Sequence, residues 1–194
     1  MSTYFMDSKN WNEIKRGYFY EAALFYPSDT ERPLRFFLPD VDDPSRGSIV
    51  KDAGNFEMRK IEGRLVNIEQ YIIVTLKTRK VVVLSNDTLN SSDEIDFVQI
   101  APIMSVSEKD KTKQWYKKMI ANNHPAFVFI PQHVTGKECY VDISEMTSIH
   151  KGMLQRRSKQ VPEEYMQVIE DNILECLDLG LIEDDEQITP VINT

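Results

Sequence analysis

The run Val81-Val82-Val83-Leu84 is bounded by Lys77-Thr78-Arg79-Lys80 on one side and Ser85-Asn86-Asp87 on the other. Successive valines favour a strand over a helix, because branching at Cβ restricts χ1 against a helical turn. A strand with no alternating polar positions has to be covered on both faces. The chain therefore needs a sheet with packed material above and below it. Lys77 to Arg79 reads as a basic turn entering the strand, and Asn86-Asp87 as the polar turn that ends it. An arginine at the mouth of a buried strand is held rigidly at its stem while its guanidinium reaches a polyanion.

The rest of the chain supplies the cover. With 194 residues, 41% of them hydrophobic and 28% charged, one domain can build a core without disulfide or metal staples. Cys139 and Cys176 stand in no Cys-x-x-Cys pair and have no histidine at ligand spacing, so they read as reduced, buried thiols and no zinc site is expected. The first ten residues lack a basic region followed by an apolar run. No apolar run approaches the ~20 residues of a membrane span. A cytoplasmic protein without membrane attachment is expected. The net charge of −8 opposes indiscriminate nucleic-acid binding, although a local basic groove remains open. Glu183-Asp184-Asp185-Glu186 marks residues 183–194 as a solvated acidic tail.

Strand-forming aromatics fill residues 17–26 after the turn Lys15-Arg16-Gly17. Pro27-Ser28-Asp29 breaks that strand, and residues 34–38 form a second, short one. Turn signals crowd residues 40–55, rough alternation follows over 56–66, and Tyr71 to Leu76 is a β-branched run. Phe97 to Ile103 is a further strand, with Pro102 marking an edge or a bulge. Ser107 caps a helix running to Ala121, with Asp110 completing an approximate capping box and Trp115 and Met119 forming an i, i+4 pair. Asn122-Asn123-His124-Pro125 stops it. Two strands, Phe127 to Ile130 and Glu138 to Ile143, flank a loop with Gly136. Ile149 and Met153 suggest a short helix. Pro162, Glu163 and Glu164 open a final helix with Met166, Ile169, Ile173 and Leu177 on one stripe and Gly180 at its end.

Four pieces, in order, resemble the MazF/PemK toxin family: Lys15-Arg16-Gly17 with its aromatic strand, Arg79 through Asp87, Gln99-Ile-Ala-Pro-Ile103, and the run Tyr140 to Leu179 with Lys151-x-x-Leu154 inside it. The resemblance implies a mainly β protein with helices, an SH3-like barrel of the CcdB/MazF type with a C-terminal helix. It implies one domain over residues 1–182, with an insertion at about 27–74 where the family has a shorter, groove-gating loop. It also implies a toxin of a toxin-antitoxin pair: a homodimeric growth inhibitor, restrained by an antitoxin, that cleaves single-stranded messenger RNA without metal or other cofactor. In that chemistry an internal 2′-hydroxyl attacks its own phosphate, and the protein positions the chain, moves protons and stabilises the phosphorane.

The same resemblance nominates residues. Arg79 matches the family's catalytic arginine, and its planar fork suits two phosphate oxygens; Arg32, in Arg32-Pro33, is the rival. The family's Thr or Ser falls on Met104, so Ser105 substitutes only if a bulge at Pro102 shifts the register. Glu145 stands beside the position of the family's acidic residue, as a general base or a base-edge acceptor, or as an ordinary helix N-terminal acid. The following arginine of the family is Thr147 here. Lys15, Arg16, Arg32 and Lys77 are the expected RNA contacts. Tyr18, Tyr20, Phe25 and Tyr26 are possible stacking rings, or alternate core members. His124, His133 and His150 titrate near neutrality but read as loop or surface residues. The departures at Met104 and Thr147, with the acidic net charge, motivate an alternative: a catalytically silent relative that binds RNA or a protein partner.

Overall fold

The computed structural model describes Phe5, residues 7–25, 34–52, Gly54 and residues 57–179. Its strands are β1 (Tyr18–Phe25), β2 (Leu34–Pro39), β3 (Gly47–Asp52), β4 (Arg59–Ile61), β5 (Arg64–Val66), β6 (Tyr71–Ile72), β7 (Leu76–Val83), β8 (Phe97–Ser105), β9 (Phe127–Ile130), β10 (Cys139–Asp142), β11 (Thr147–His150) and β12 (Leu154–Gln160). The helices are α1 (Asp87–Ser91), α2 (Gln114–Ile120), α3 (Gln132–Thr135) and α4 (Glu163–Cys176). The chain divides into two units, Met1–Ala22 with Arg79–Thr194, and Ala23–Thr78.

In the first unit the strand order is β12-β1-β7-β8-β10-β9, and β11 also pairs with β8. Among the described residues, β1 pairs antiparallel with β12, β7 with β8, β8 with β10 and β11, and β9 with β10. Among the described residues β12 and β9 end the path without pairing with each other, so the sheet is open. The mixed, strand-dominated class read from the sequence is the one the chain adopts.

One layer of core lies between this sheet and α4. Phe19, Val82, Ala101, Ile103, Val128, Ile130 and Val141 meet Met166 and Ile169 there. By strand alternation Tyr20, Val81, Val83 and Ile100 face the other way, and they are buried too. The valine run is thus covered on both faces, as its composition requires.

The turn after it is heavily bonded. Asn86 caps α1 by accepting from the Leu89 N–H at 2.9 Å. Gly17 donates its N–H to the Val83 carbonyl at 2.9 Å and accepts from the Val161 N–H at 2.7 Å, at φ +71°, a value a side chain resists.

In the second unit β3-β2-β6 form one small sheet and β4-β5 a hairpin. Phe36 is buried, whereas Ile49, Ile61, Leu65 and Tyr71 are exposed. The hairpin turns at Glu62-Gly63, both with positive φ.

Several local expectations change. Lys77 to Arg79 is not a turn but lies inside β7: none of these residues demands positive φ or lacks an N–H, so nothing in them breaks the strand. Pro102 is neither at an edge nor at a bulge. It is buried in central β8, opposite Val81. On the other side of β8, β11 pairs as far as Ile100 and β10 begins at Ile103. Pro102 therefore falls where β8 changes partner and where its missing N–H costs no ladder bond on that side.

The Ser107–Asp110 box forms, with Asp110 Oδ2 accepting from the Ser107 N–H at 2.8 Å and from its hydroxyl at 2.6 Å. It introduces a 3-10 turn at Asp110–Thr112; Lys113 is extended, and the α-helix starts only at Gln114. The helix expected around Ile149 and Met153 is replaced by strand β11, a 3-10 turn and strand β12, because Ile149 alternates inward between exposed Ser148 and His150. Helix α4 runs to Cys176, followed by Asp178 at φ 51°. Gly180, expected to end it, lies outside the described residues, as do Tyr26, Arg32 and the acidic tail. Cys139 is buried as expected, but Cys176 is exposed and donates its thiol to the Pro125 carbonyl at 3.0 Å.

Candidate functional site

Arg79 enters the buried part of β7 and is half-buried itself. Alternation puts it on the same strand face as Val81 and Val83. Val81 is registered with Pro102 and Val83 with Ile100, so Met104 shares that face of β8. Met104 is in turn registered with Tyr140, and Tyr140 with Phe129. One sheet face therefore carries Arg79, Met104, Tyr140 and Phe129 across four neighbouring strands.

Ser105 belongs to the opposite face. It is registered with core residue Cys139 and is exposed because β8 ends there. The register of β8 with β10 runs without a shift, so no bulge turns Ser105 towards the Arg79 face. Met104, a thioether with no proton to give, holds that place.

Glu145 is exposed at the end of a 3-10 turn following β10. Partial burial, and then the neighbouring Asp142, push its carboxyl above the usual glutamate range. Asp142 is buried and accepts the Ser144 hydroxyl at 2.5 Å. Glu145 is thus a stronger base than a solvated glutamate.

The opening basic pair is already engaged. The Arg16 N–H donates to Asp87 Oδ1 at 2.8 Å, and Arg16 Nη2 donates to Glu170 Oε1 at 2.7 Å. Lys15 Nζ lies 3.4 Å from Asp87 Oδ2. These contacts tie the turn to α1 and α4 and offset part of its positive charge. Lys77 is exposed at the start of β7, within the second unit.

Of the aromatic candidates, Tyr20 is core, and its hydroxyl accepts the Lys15 N–H at 2.8 Å. Tyr18 is half-buried, with the Arg157 guanidinium 5.4 Å from its ring centre. Phe25 is exposed.

The histidines divide. His124 stacks on Phe127 at 4.1 Å, its Nδ1 accepts the Ala126 and Phe127 N–H groups, and burial with nearby Lys118 lowers its pKa. His150 packs edge-on against Trp11 and Phe97. His133 is exposed on α3.

The segment Lys113-Gln-Trp-Tyr-Lys-Lys118, two large rings between lysines, has no role in the sequence-based expectations. The fold brings Trp115 within 5.5 Å, centre to centre, of both Phe127 and Tyr140.

Among the described residues, no cluster of histidine, cysteine and carboxylate side chains has the makings of a metal site, and no helix is long and apolar enough to cross a membrane. None of the curated proteins compared with the chain matches it. Residues 71–177 match the family described as PemK-like, MazF-like toxin of type II toxin-antitoxin system. The match takes in β7, β8, the Arg79 face, Glu145 and α4, and leaves out Lys15, Arg16 and Arg32. It spans more than half of the 194 residues, and the chain belongs to the PemK-like, MazF-like toxin family.

Proposed function

We propose that this protein is the toxin of a toxin-antitoxin pair, an endoribonuclease that cleaves single-stranded RNA by attack of the substrate's own 2′-hydroxyl. What supports the reading above all is Arg79, half-buried in β7 inside the matched segment, which by resemblance of the Arg79–Asp87 run is taken as the family's arginine. Its stem is fixed by the strand and its guanidinium is suited to two phosphate oxygens. Glu145, with its raised pKa, is the general base in this reading. The nucleophile comes from the substrate, so no metal hydroxide is required. Ser105 enters only as an RNA contact or a weak proton donor from the sheet end.

The proposal extends to a cytoplasmic homodimer held in check by an antitoxin, with the SH3-like barrel of the family as parent architecture. Residues 1–182 are taken as one domain with an insertion at about 27–74; Arg32 lies within that insertion and Lys77 just after it. A second reading, a silent relative that binds RNA or a protein, is favoured by Met104 on the Arg79 face.

Purified protein on single-stranded RNA in EDTA separates the two. Cleavage that falls by on the order of 10²–10³ in Arg79→Ala is the expected result. RNA binding with no turnover moves the assignment to the silent relative. Undiminished cleavage by Arg79→Ala moves the catalytic role to Arg32.

A further inference from the structure

We propose that the aromatic face built by α2, β9 and β10, together with the exposed Lys117 and Lys118 of α2, is a binding platform for single-stranded RNA. The inference rests on the ribonuclease reading above and adds a substrate surface to it.

The rings form one continuous group. Phe127 and Tyr140 lie 4.8 Å apart, each is 5.5 Å from Trp115, His124 stacks on Phe127 with the planes 4° apart, and Tyr116 meets Phe129 at 6.4 Å. All six are half-buried rather than enclosed. The core does not need them, because the alternate residues Val128, Ile130, Cys139 and Val141 already fill the opposite face of the same strands. Partly open aromatic faces are what bases stack on irrespective of sequence.

Charge selects the occupant. Residues 109–118 contain Lys109, Lys111, Lys113, Lys117 and Lys118, a dense basic segment in a chain of net charge −8. Lys111 is taken up by Glu108 at 2.9 Å and Glu138 at 3.0 Å. Lys117 and Lys118 are exposed and form no ion pair among the described residues. A polyanion with flat apolar rings satisfies both halves of this surface, whereas an acidic peptide satisfies only the lysines.

The platform is continuous with the proposed catalytic arginine. Tyr140 and Arg79 share a sheet face with β8 between their strands, a separation of roughly 10 Å at ~4.8 Å per strand. An RNA strand crossing the sheet past Met104 reaches both.

The test uses the full-length chain and a fluorescein-labelled, 2′-O-methyl single-stranded RNA, which binds without offering a nucleophile, read by anisotropy. Trp115→Ala is expected to weaken binding about tenfold. Lys117→Gln with Lys118→Gln, both exposed and harmless to folding, is expected to reduce the slope of log K against log salt by about 1.4. Binding and salt slope unchanged in both variants, with the parent protein binding RNA, overturn the platform and leave the ribonuclease reading standing. A parent protein that neither binds nor cleaves RNA removes both. Variants that keep RNA but lose polyglutamate assign the face to an acidic peptide and overturn the proposal.

Discussion

Ser85 donates its hydroxyl to Asn90 Oδ1 at 2.6 Å, and Asn90 Nδ2 donates back to the Ser85 carbonyl at 2.8 Å. The Gln99 N–H adds a bond to the same hydroxyl at 3.1 Å. This closed set holds the end of β7 against α1 and β8, and so fixes the strand on which Arg79 rides. Asn90 is fully buried. Asn90→Ala leaves the Ser85 groups without their partner and is expected to destabilise by about 2 kcal/mol. Ser85→Ala, which keeps the bond to the carbonyl, is expected to cost about half that. Urea denaturation of both and of the double variant checks this, with a coupling of about 1 kcal/mol between the sites.

Gly17 offers a cleaner case. An added Cβ would meet Met166 at an ordinary 3.6 Å, so space is not the obstacle. Its φ of +71° is. Gly17→Ala is expected to lose about 1 kcal/mol through backbone strain alone, seen as a lower denaturation midpoint with an unchanged slope.

Glu145 is raised above the usual glutamate range by burial first and by Asp142 second. The folded state therefore holds that proton to higher pH than the unfolded chain does. The associated stability is complete below the unfolded pKa and is lost as pH rises through the folded one. A carbon-detected NMR titration of Glu145 is expected to give a midpoint above the normal range, and Asp142→Asn to move it down. If Glu145 is the general base, the acid limb of the cleavage rate follows the same midpoint and its displacement.

Lys151 has no exposed surface. Its ammonium donates to the Ser92 carbonyl at 2.7 Å and lies 5.2 Å from the Trp11 ring centre. Desolvation lowers its pKa, against the pull of Asp96 and Asp93. With the folded pKa below the unfolded one, the unfolded state binds more protons in the alkaline window, so this group's contribution improves as pH rises through the folded value. Lys151→Met is expected to abolish that improvement: stability of the parent relative to the variant should climb as pH rises towards about 10, the ordinary lysine value. A parallel series of thermal or urea melts checks the sign.

Legibility in the sequence followed burial. Val81 to Leu84 and the α4 stripe could be read because their partners impose nothing that the residues do not already prefer. Strand β12, Leu154–Gln160, could not: after Leu154 it is polar and largely exposed, and its extension comes from pairing with β1, through two irregularities of register. Arg79 is legible as part of this strand, but its local conformation is not, since the strand starts at Leu76 rather than after Arg79. Its companions were harder. Which face Ser105 takes depends on the register of β8 with β10, and the aromatic face joins rings from α2, β9 and β10 that no short window contains.

Among the described residues, β8 serves two partners along a single edge, β11 up to Ile100 and β10 from Ile103, with Pro102 at the change. The sheet beyond it is therefore two leaves sharing a spine. Each leaf can peel from β8 without dragging the other through a continuous ladder. Hydrogen exchange should then resolve two openings of different free energy, one for the β11 side and one for the β10–β9 side, with the amides of β7 and β8 outlasting both. The aromatic rings travel with the second leaf, and Arg79 stays with the spine.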